Sequence, residues 1–247
     1  LFRSIELKWQ GKLFKKSYKN AEVLSAESHY SLNLLPSSSK YIHIVSPNGS
    51  DKEIELFGQS REYTVNNIAV IVGSFFYKDL DSSFNIFLKL KVKNPKLRLI
   101  IIGDNKMIPK KIKNKHFVDS LGELPHSKVV TLLSSARFYI NTSKVENSWN
   151  SASEGVLLAR ESFISGIKPH LELVDIIAHD KYIFESGIIH VENKNLTSKG
   201  LLTWSNIIED MIKHKNVWVK LGEKLHPGEH KMRYPKCFNA FDVIRNH

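Results

Sequence analysis

Glu146 and Glu154 are separated by seven residues, and small or amide-bearing side chains fill most of the interval. Two carboxylates around a turn can accept hydrogen bonds from the vicinal hydroxyls of a ribose or a hexose. The amides of such a turn, with the N-terminus of the helix that follows, face an anion. One group would then hold a sugar and the other a phosphate. A local explanation competes. Ser151 and Glu154 form the S-x-x-E pattern of a capping box, in which each satisfies the other's backbone donor ahead of the apolar "GVLLA". Glu146 would then be a solvated loop acid. The residues alone leave both readings open.

Placing these acids requires the elements on either side. "NIAVIVG" (67–73) and "LRLIIIG" (97–103) are continuous apolar runs of strand length, as expected of strands buried on both faces. Between them "DSSFNIFLKLKVKNP" has Phe84, Phe87, Leu88 and Val92 at helical spacing, with Pro95 beyond. "HSKVVTLLSSA" reads as a helix with Val129, Val130, Leu132 and Leu133 inside, and "RFYINTS" (137–143) as a third strand. "SASEGVLLA", "ESFISG" and "KPHLELVD" continue as helix, strand, helix. Such alternation implies right-handed βαβ units, and therefore an α/β fold with a Rossmann-like parallel sheet flanked by helices. Ligands of these folds sit beyond the carboxyl ends of the strands. Gly73, Gly103 and the turn 142–150 all lie there. Ahead of this unit, residues 2–60 read as a helix, the strand "AEVLSA", a short helix, the strand "YIHIVS" and the loop "PNGSDKE". The tail contains an amphipathic helix, "SKGLLTWSNIIEDMIKH", and a last short one, "KCFNAFDVIRNH".

The 247 residues, 42% hydrophobic, suffice for a sizeable core in one or two domains. The single cysteine, Cys237, excludes an intramolecular disulfide and implies a reducing, cytoplasmic setting. A formal charge of +11 calls for an anionic partner. Nothing resembles a zinc finger, an RNP motif or a helix-turn-helix, so nucleic acid is not expected. Lys12, Lys15, Lys16 and Lys19 share one face of the first helix, a solvated face or a peripheral membrane contact. His226 and His230 flank Pro227 and Gly228, which spoils helical ligation of a metal.

Several segments, taken as a set and in order, resemble retaining family-4 glycosyltransferases of the GT-B fold. These are E-x7-E at a strand end, "PNGSD" as an interdomain link, "IAVIVGSFFYKDLDSSFNIFLKL", "LRLIIIGD", "LGELPHSKVVTLLSSARFYINTS" and "ESFISGIKPHLELV". The resemblance spans roughly residues 20 to 215. It implies three parts: residues 1–62 as the end of an acceptor-side α/β domain with its link, 63–215 as a donor-binding domain, and 216–247 as a helical tail. Residues 1–62 are too few for a whole acceptor domain, so a truncated or split enzyme is expected, with "NAEVLSAESHYSLNLL" as that domain's closing strand and helix.

The resemblance also implies roles. Glu154 would bind the nucleotide ribose, and Glu146 with Asn147, Ser148, Trp149 and Asn150 would contact the donor sugar. Gly122 and Leu124 lie where the family cradles the nucleobase with backbone groups. After the first strand, beyond Gly73, the family places a basic pair on the diphosphate. Lys78 matches its lysine, while Ser74 stands at its arginine. That departure removes a preorganised cation from a reaction whose leaving group gains negative charge, a loss of a few kcal/mol of transition-state stabilisation on the scale of one donor.

The implied activity is transfer of a sugar from a UDP- or GDP-sugar to a glycan or lipid-linked acceptor, with retention at the anomeric carbon and without metal or other cofactor. Two alternatives stay open: an NDP-sugar epimerase of the same fold, and a non-catalytic nucleotide-binding subunit completed by a partner chain.

Overall fold

A computed structural model describes residues 18–19, 21, 23–38, 40–45, 66–146, 149–178 and 182–192. The link "PNGSD", most of the first basic helix, Asn147, Ser148, both proposed domain boundaries, the His226/His230 pair, Cys237 and the tail lie outside them.

A seven-stranded sheet organises the chain. In sequence order its strands are β3 (Asn66–Val72), β4 (Arg98–Ile102), β5 (Val118–Gly122), β6 (Ala136–Asn141), β7 (Glu161–Ser165), β8 (Ile183–Glu185) and β9 (Ile188–Glu192). Their spatial order is β5-β4-β3-β6-β7-β9-β8. The strands from β5 to β7 are parallel; β9 runs antiparallel to β7, and β8 to β9. From β3 the chain builds outward to β5, then returns to lay β6 on the other side of β3. That reversal is a topological switch point, where neighbouring loops diverge and leave a crevice.

Both sheet faces are covered. Along β3, Val70 points into one core cluster while Ala69 and Ile71 point into the other, the two-residue period of a strand. The first cluster packs under α4 (His126–Ser135), α5 (Asn150–Leu158) and α6 (Lys168–Ala178) through Leu133, Val156, Leu157 and Leu173. The second packs under α2 (Leu80–Lys93) and α3 (Lys110–Lys113) through Leu80, Phe87 and Ile112. Fully burying a side chain such as Phe87 or Leu99 contributes about 1.5–3 kcal/mol, so these clusters are what fix the strand order.

Two features go beyond what the spacing implied. Leu88 and Val92, which share the helical period of Phe84 and Phe87, are exposed, because α2 turns Leu80, Ser83 and Phe87 toward the sheet instead. The β8–β9 hairpin was not anticipated; its turn, Ser186-Gly187, has positive φ at both residues, the geometry of a tight two-residue hairpin turn.

A smaller parallel pair, β1 (Val23–Ala26) with β2 (Ile42–Val45), flanks α1 (His29–Leu32). The Glu172 carboxylate on α6 accepts from the backbone amides of His29 and Tyr30, tying this unit to the main sheet.

Candidate functional site

The strands on one side of the switch point end in tight, glycine-dependent geometry. Gly73, Gly103 and Gly122 close β3, β4 and β5 with positive φ. At Gly103 a Cβ would lie 2.7 Å from Ser74 Oγ and 2.9 Å from Ser74 N, so only glycine lets the two loops approach. Ser74 is buried, and its hydroxyl donates to the Asp104 carbonyl at 3.0 Å. Its one donor is thus directed into the fold.

After Gly73 the chain makes a 3₁₀ turn, Phe76–Lys78, which brings Lys78 back over the end of β3. The lysine stem crosses Gly73, where a Cβ would be 3.1 Å from Lys78 Cε. The ammonium meets Glu146 Oε1 at 2.5 Å and donates to Ser151 Oγ at 3.3 Å. The two side chains of the pair are only 10% and 15% exposed, so the interaction is largely desolvated. Lys78 arrives from β3, Glu146 from the loop after β6 and Ser151 from the first turn of α5. The cluster spans the switch point.

The two loops are also joined directly. Lys144 N donates to the Tyr77 carbonyl at 2.8 Å, and Thr142 Oγ1 donates to the Asp79 carbonyl at 2.8 Å. Asp79 takes a left-handed conformation (φ 48°) and caps α2 through Ser82, while Lys144 Nζ lies 3.2 Å from its carboxylate. Burial alone would raise the Asp79 pKa; the hydrogen bonds from Ser82 and Lys144 outweigh it and hold the group below its usual value. A cavity of about 340 Å³ opens at the same strand ends, walled by Asp79, Ser82, Thr142, Ser143, Lys144 and Ser165.

Glu154 does not close a capping box with Ser151. The helix starts at Asn150 behind Trp149, whose side chain makes no capping bond, so Ser151 and Glu154 are both already helical. Each has instead a partner distant in sequence: Ser151 receives Lys78, and Glu154 Oε1 lies 2.8 Å from His126 Nε2. His126 opens α4 just after the Gly122–Leu124 loop, so the ring joins that loop's helix to α5. Leu124 itself packs half-buried against the first core cluster. Trp149 is 4% exposed and belongs to the same cluster, which leaves only its backbone toward the strand ends. Asn150 is exposed at the first helical position.

Tyr139, on β6, is the residue beneath both glutamates, and sequence reasoning missed it. Burial raises its phenol above the ordinary 10, hydrogen bonds with Ser151 and Asn141 oppose the shift, and the charges of Glu146 and Glu154 add to it. His170, fully buried near the amino end of α6, was also missed. Its Nδ1 lies 2.8 Å from the Ser165 carbonyl, and Nε2 has no partner among the described residues. Burial lowers its pKa against that hydrogen bond, with Glu146 and Lys78 near enough to act on it in opposite senses. Neither residue carries a local signal: an apolar strand and a Pro-His pair are ordinary sequence.

Among the described residues no group of three or more His, Cys, Asp or Glu could hold a metal, and no helix is long and apolar enough to cross a membrane.

No family model matches the sequence, and no curated protein matches it. Solved structures do. AviGT4, a glycosyltransferase involved in avilamycin A biosynthesis, superposes with a TM-score of 0.56 at 12% identity, over 79% of this chain and 64% of that one. The fold is of the GT-B type. Weaker overlaps are with a GtfA/B complex (TM-score 0.47, 14% identity, 94% of this chain and 43% of that one) and with the pneumococcal O-GlcNAc transferase GtfA bound to UDP and GlcNAc (0.43, 12%, 57% and 29%). The chain spans less than two thirds of the length of each of these structures.

Proposed function

We propose that this chain is the donor-binding half of a retaining, family-4-type glycosyltransferase. It holds a UDP- or GDP-linked sugar for transfer to a glycan or a lipid-linked acceptor. Residues 63–215 form the donor domain, residues 1–62 end an acceptor-side domain, and 216–247 form a tail. The observation that carries this reading is the Lys78–Glu146–Ser151 cluster across the β3/β6 switch point.

In this reading Lys78 exchanges Glu146 for the diphosphate. Its ammonium then neutralises charge on the departing group, in a site where little water competes. Glu146, released, accepts hydroxyl hydrogens of the donor sugar, with the amides of 147–150 beside it. Glu154 accepts the ribose hydroxyls in place of His126, and the backbone at Gly122 and Leu124 borders the base. The N-terminus of α5, to which the Trp149 side chain makes no capping bond, faces the phosphates with its first amides. Because Ser74 directs its hydroxyl to Asp104, Lys78 is the one cation of the family pair left for the leaving group. No metal enters the scheme.

The same Ser74 geometry favours the second reading, a nucleotide-binding subunit whose partner chain completes the reaction. A thermal-shift panel of UDP, GDP, ADP and CMP tests the shared core of both. The cognate nucleotide at a hundredfold excess over its Kd stabilises the fold by about 2.7 kcal/mol. Glu154→Gln removes most of that shift and leaves the unliganded melting temperature nearly unchanged. If none of the four nucleotides moves the melting temperature, both readings fail. Turnover of the matching nucleotide sugar, hydrolytic or to an added acceptor, then separates enzyme from subunit.

A further inference from the structure

One stretch of this chain is strongly basic. Residues 80–117, which build α2, β4 and α3, hold nine lysines and one arginine against two aspartates, and Arg98 is paired with Asp119 at 2.8 Å, so the lysines carry the excess. Both acids are engaged: Asp81 pairs with Lys111 at 2.9 Å, and Asp104 Oδ1 accepts from the Lys106 amide at 2.9 Å. The packing forces the lysines outward. Leu80 and Phe87 of α2, with Ile112 of α3, are buried in the same core cluster, and Lys89, Lys93, Lys106, Lys110 and Lys113 are left exposed. The Asp81–Lys111 bridge joins the two helices into a single surface.

This surface is not purely polar. Leu88 and Val92, one helical turn apart and each followed by a lysine (Lys89, Lys93), are 37% and 83% exposed, and Met107, next to Lys106 in sequence, is 43% exposed. A dissolved polyanion has no use for such side chains. A bilayer does: lysines reach the phosphate layer while short apolar side chains enter the headgroup boundary. We propose that the α2/α3 face docks on an anionic phospholipid surface. The proposal stands apart from the sugar-nucleotide reading, since none of its residues belongs to the Lys78–Glu146 cluster.

Co-sedimentation of the full chain with vesicles tests it. Vesicles of phosphatidylcholine with phosphatidylglycerol bind the chain, phosphatidylcholine alone does not, and added salt releases it. K89Q/K93Q/K110Q weakens binding by roughly a hundredfold, about fivefold for each lysine removed. K40Q/K128Q/R160Q, an equal change of charge at exposed positions elsewhere, leaves binding within about twofold of the parent on the same scale. L88S/V92S weakens binding while leaving its salt dependence intact. Melting temperatures of all variants near that of the parent show that they fold. Failure of the parent to bind anionic vesicles, or equal loss in the control variant, overturns the proposal. So does a K89Q/K93Q/K110Q variant that loses heparin binding but keeps its vesicles, which would assign the face to a dissolved polyanion.

Discussion

The ring of Tyr139 fills the space that a side chain at position 155 would need: a Cβ on Gly155 would come within 2.2 Å of Tyr139 Cδ1. The glycine lets α5 lie directly on β6, which sets the height of Ser151 and Glu154 above the strand ends. Gly155→Ala forces the helix away from the ring and costs about 1–3 kcal/mol, the range for overpacking a core. Chemical denaturation reads the loss. Tyr139→Leu in the Gly155→Ala background recovers part of it, whereas a clash elsewhere would give no recovery.

Lys78 and Glu146 neutralise each other where neither is well hydrated. Removing one partner strands the other, at about 3–5 kcal/mol for a fully buried pair. The residual exposure here lowers the expectation to about 2–3 kcal/mol for Lys78→Met or for Glu146→Gln. Lys78→Met/Glu146→Gln together cost less than the sum of the singles. A strictly additive double-mutant cycle would mean that the two side chains do not interact in solution.

Restoring the arginine of the family pattern does not restore a cation to the site. Ser74 is 3% exposed and wedged against Gly103, so Ser74→Arg has no path to the crevice without opening the β3–β4 loops. The variant is destabilised by several kcal/mol, on the scale of forcing an unpaired charge into a buried position. Ser74→Ala loses one neutral hydrogen bond, about 1 kcal/mol. Urea titration of the pair decides; a stable Ser74→Arg with tighter nucleotide binding would contradict this account.

His170 gives the fold an acid-sensitive component. Its folded pKa is depressed below 6.5, so between the two values the unfolded chain takes up the proton more readily. The stabilising contribution is therefore complete above 6.5 and is lost as the pH falls through the folded value. His170→Gln lowers stability at neutral pH and flattens this part of the pH profile of the melting temperature. An unchanged slope in the variant would place the acid sensitivity elsewhere.

The sequence exposed the fold more fully than the site. The runs at 67–73 and 97–103 were legible because a parallel strand covered on both faces has no polar alternative, and β3 and β4 occupy them within a residue at each end. The β8–β9 ribbon was not, because "IFE" is exposed throughout while "IIHVE" alternates half-buried and buried positions, and only the Ser-Gly turn announces a hairpin. Leu88 and Val92 fit a helical period without revealing which side of the helix meets the sheet. Glu154 shows the harder limit. S-x-x-E is a local pattern, yet the partners of Ser151 and Glu154 lie 73 and 28 residues away. His126, Tyr139 and His170 matter through where the sheet carries them, and spacing along the chain does not encode that.

The distance between Lys78 and Glu146 along the backbone, 68 residues, has a further consequence. Everything from α2 through β6 must be threaded and closed before the ammonium meets the carboxylate, and no short excised peptide can reproduce that meeting. A single protease cut in that interval would leave each half with one member of the pair. Ligand capture by the nicked material would then report whether the severed pieces still clasp one another.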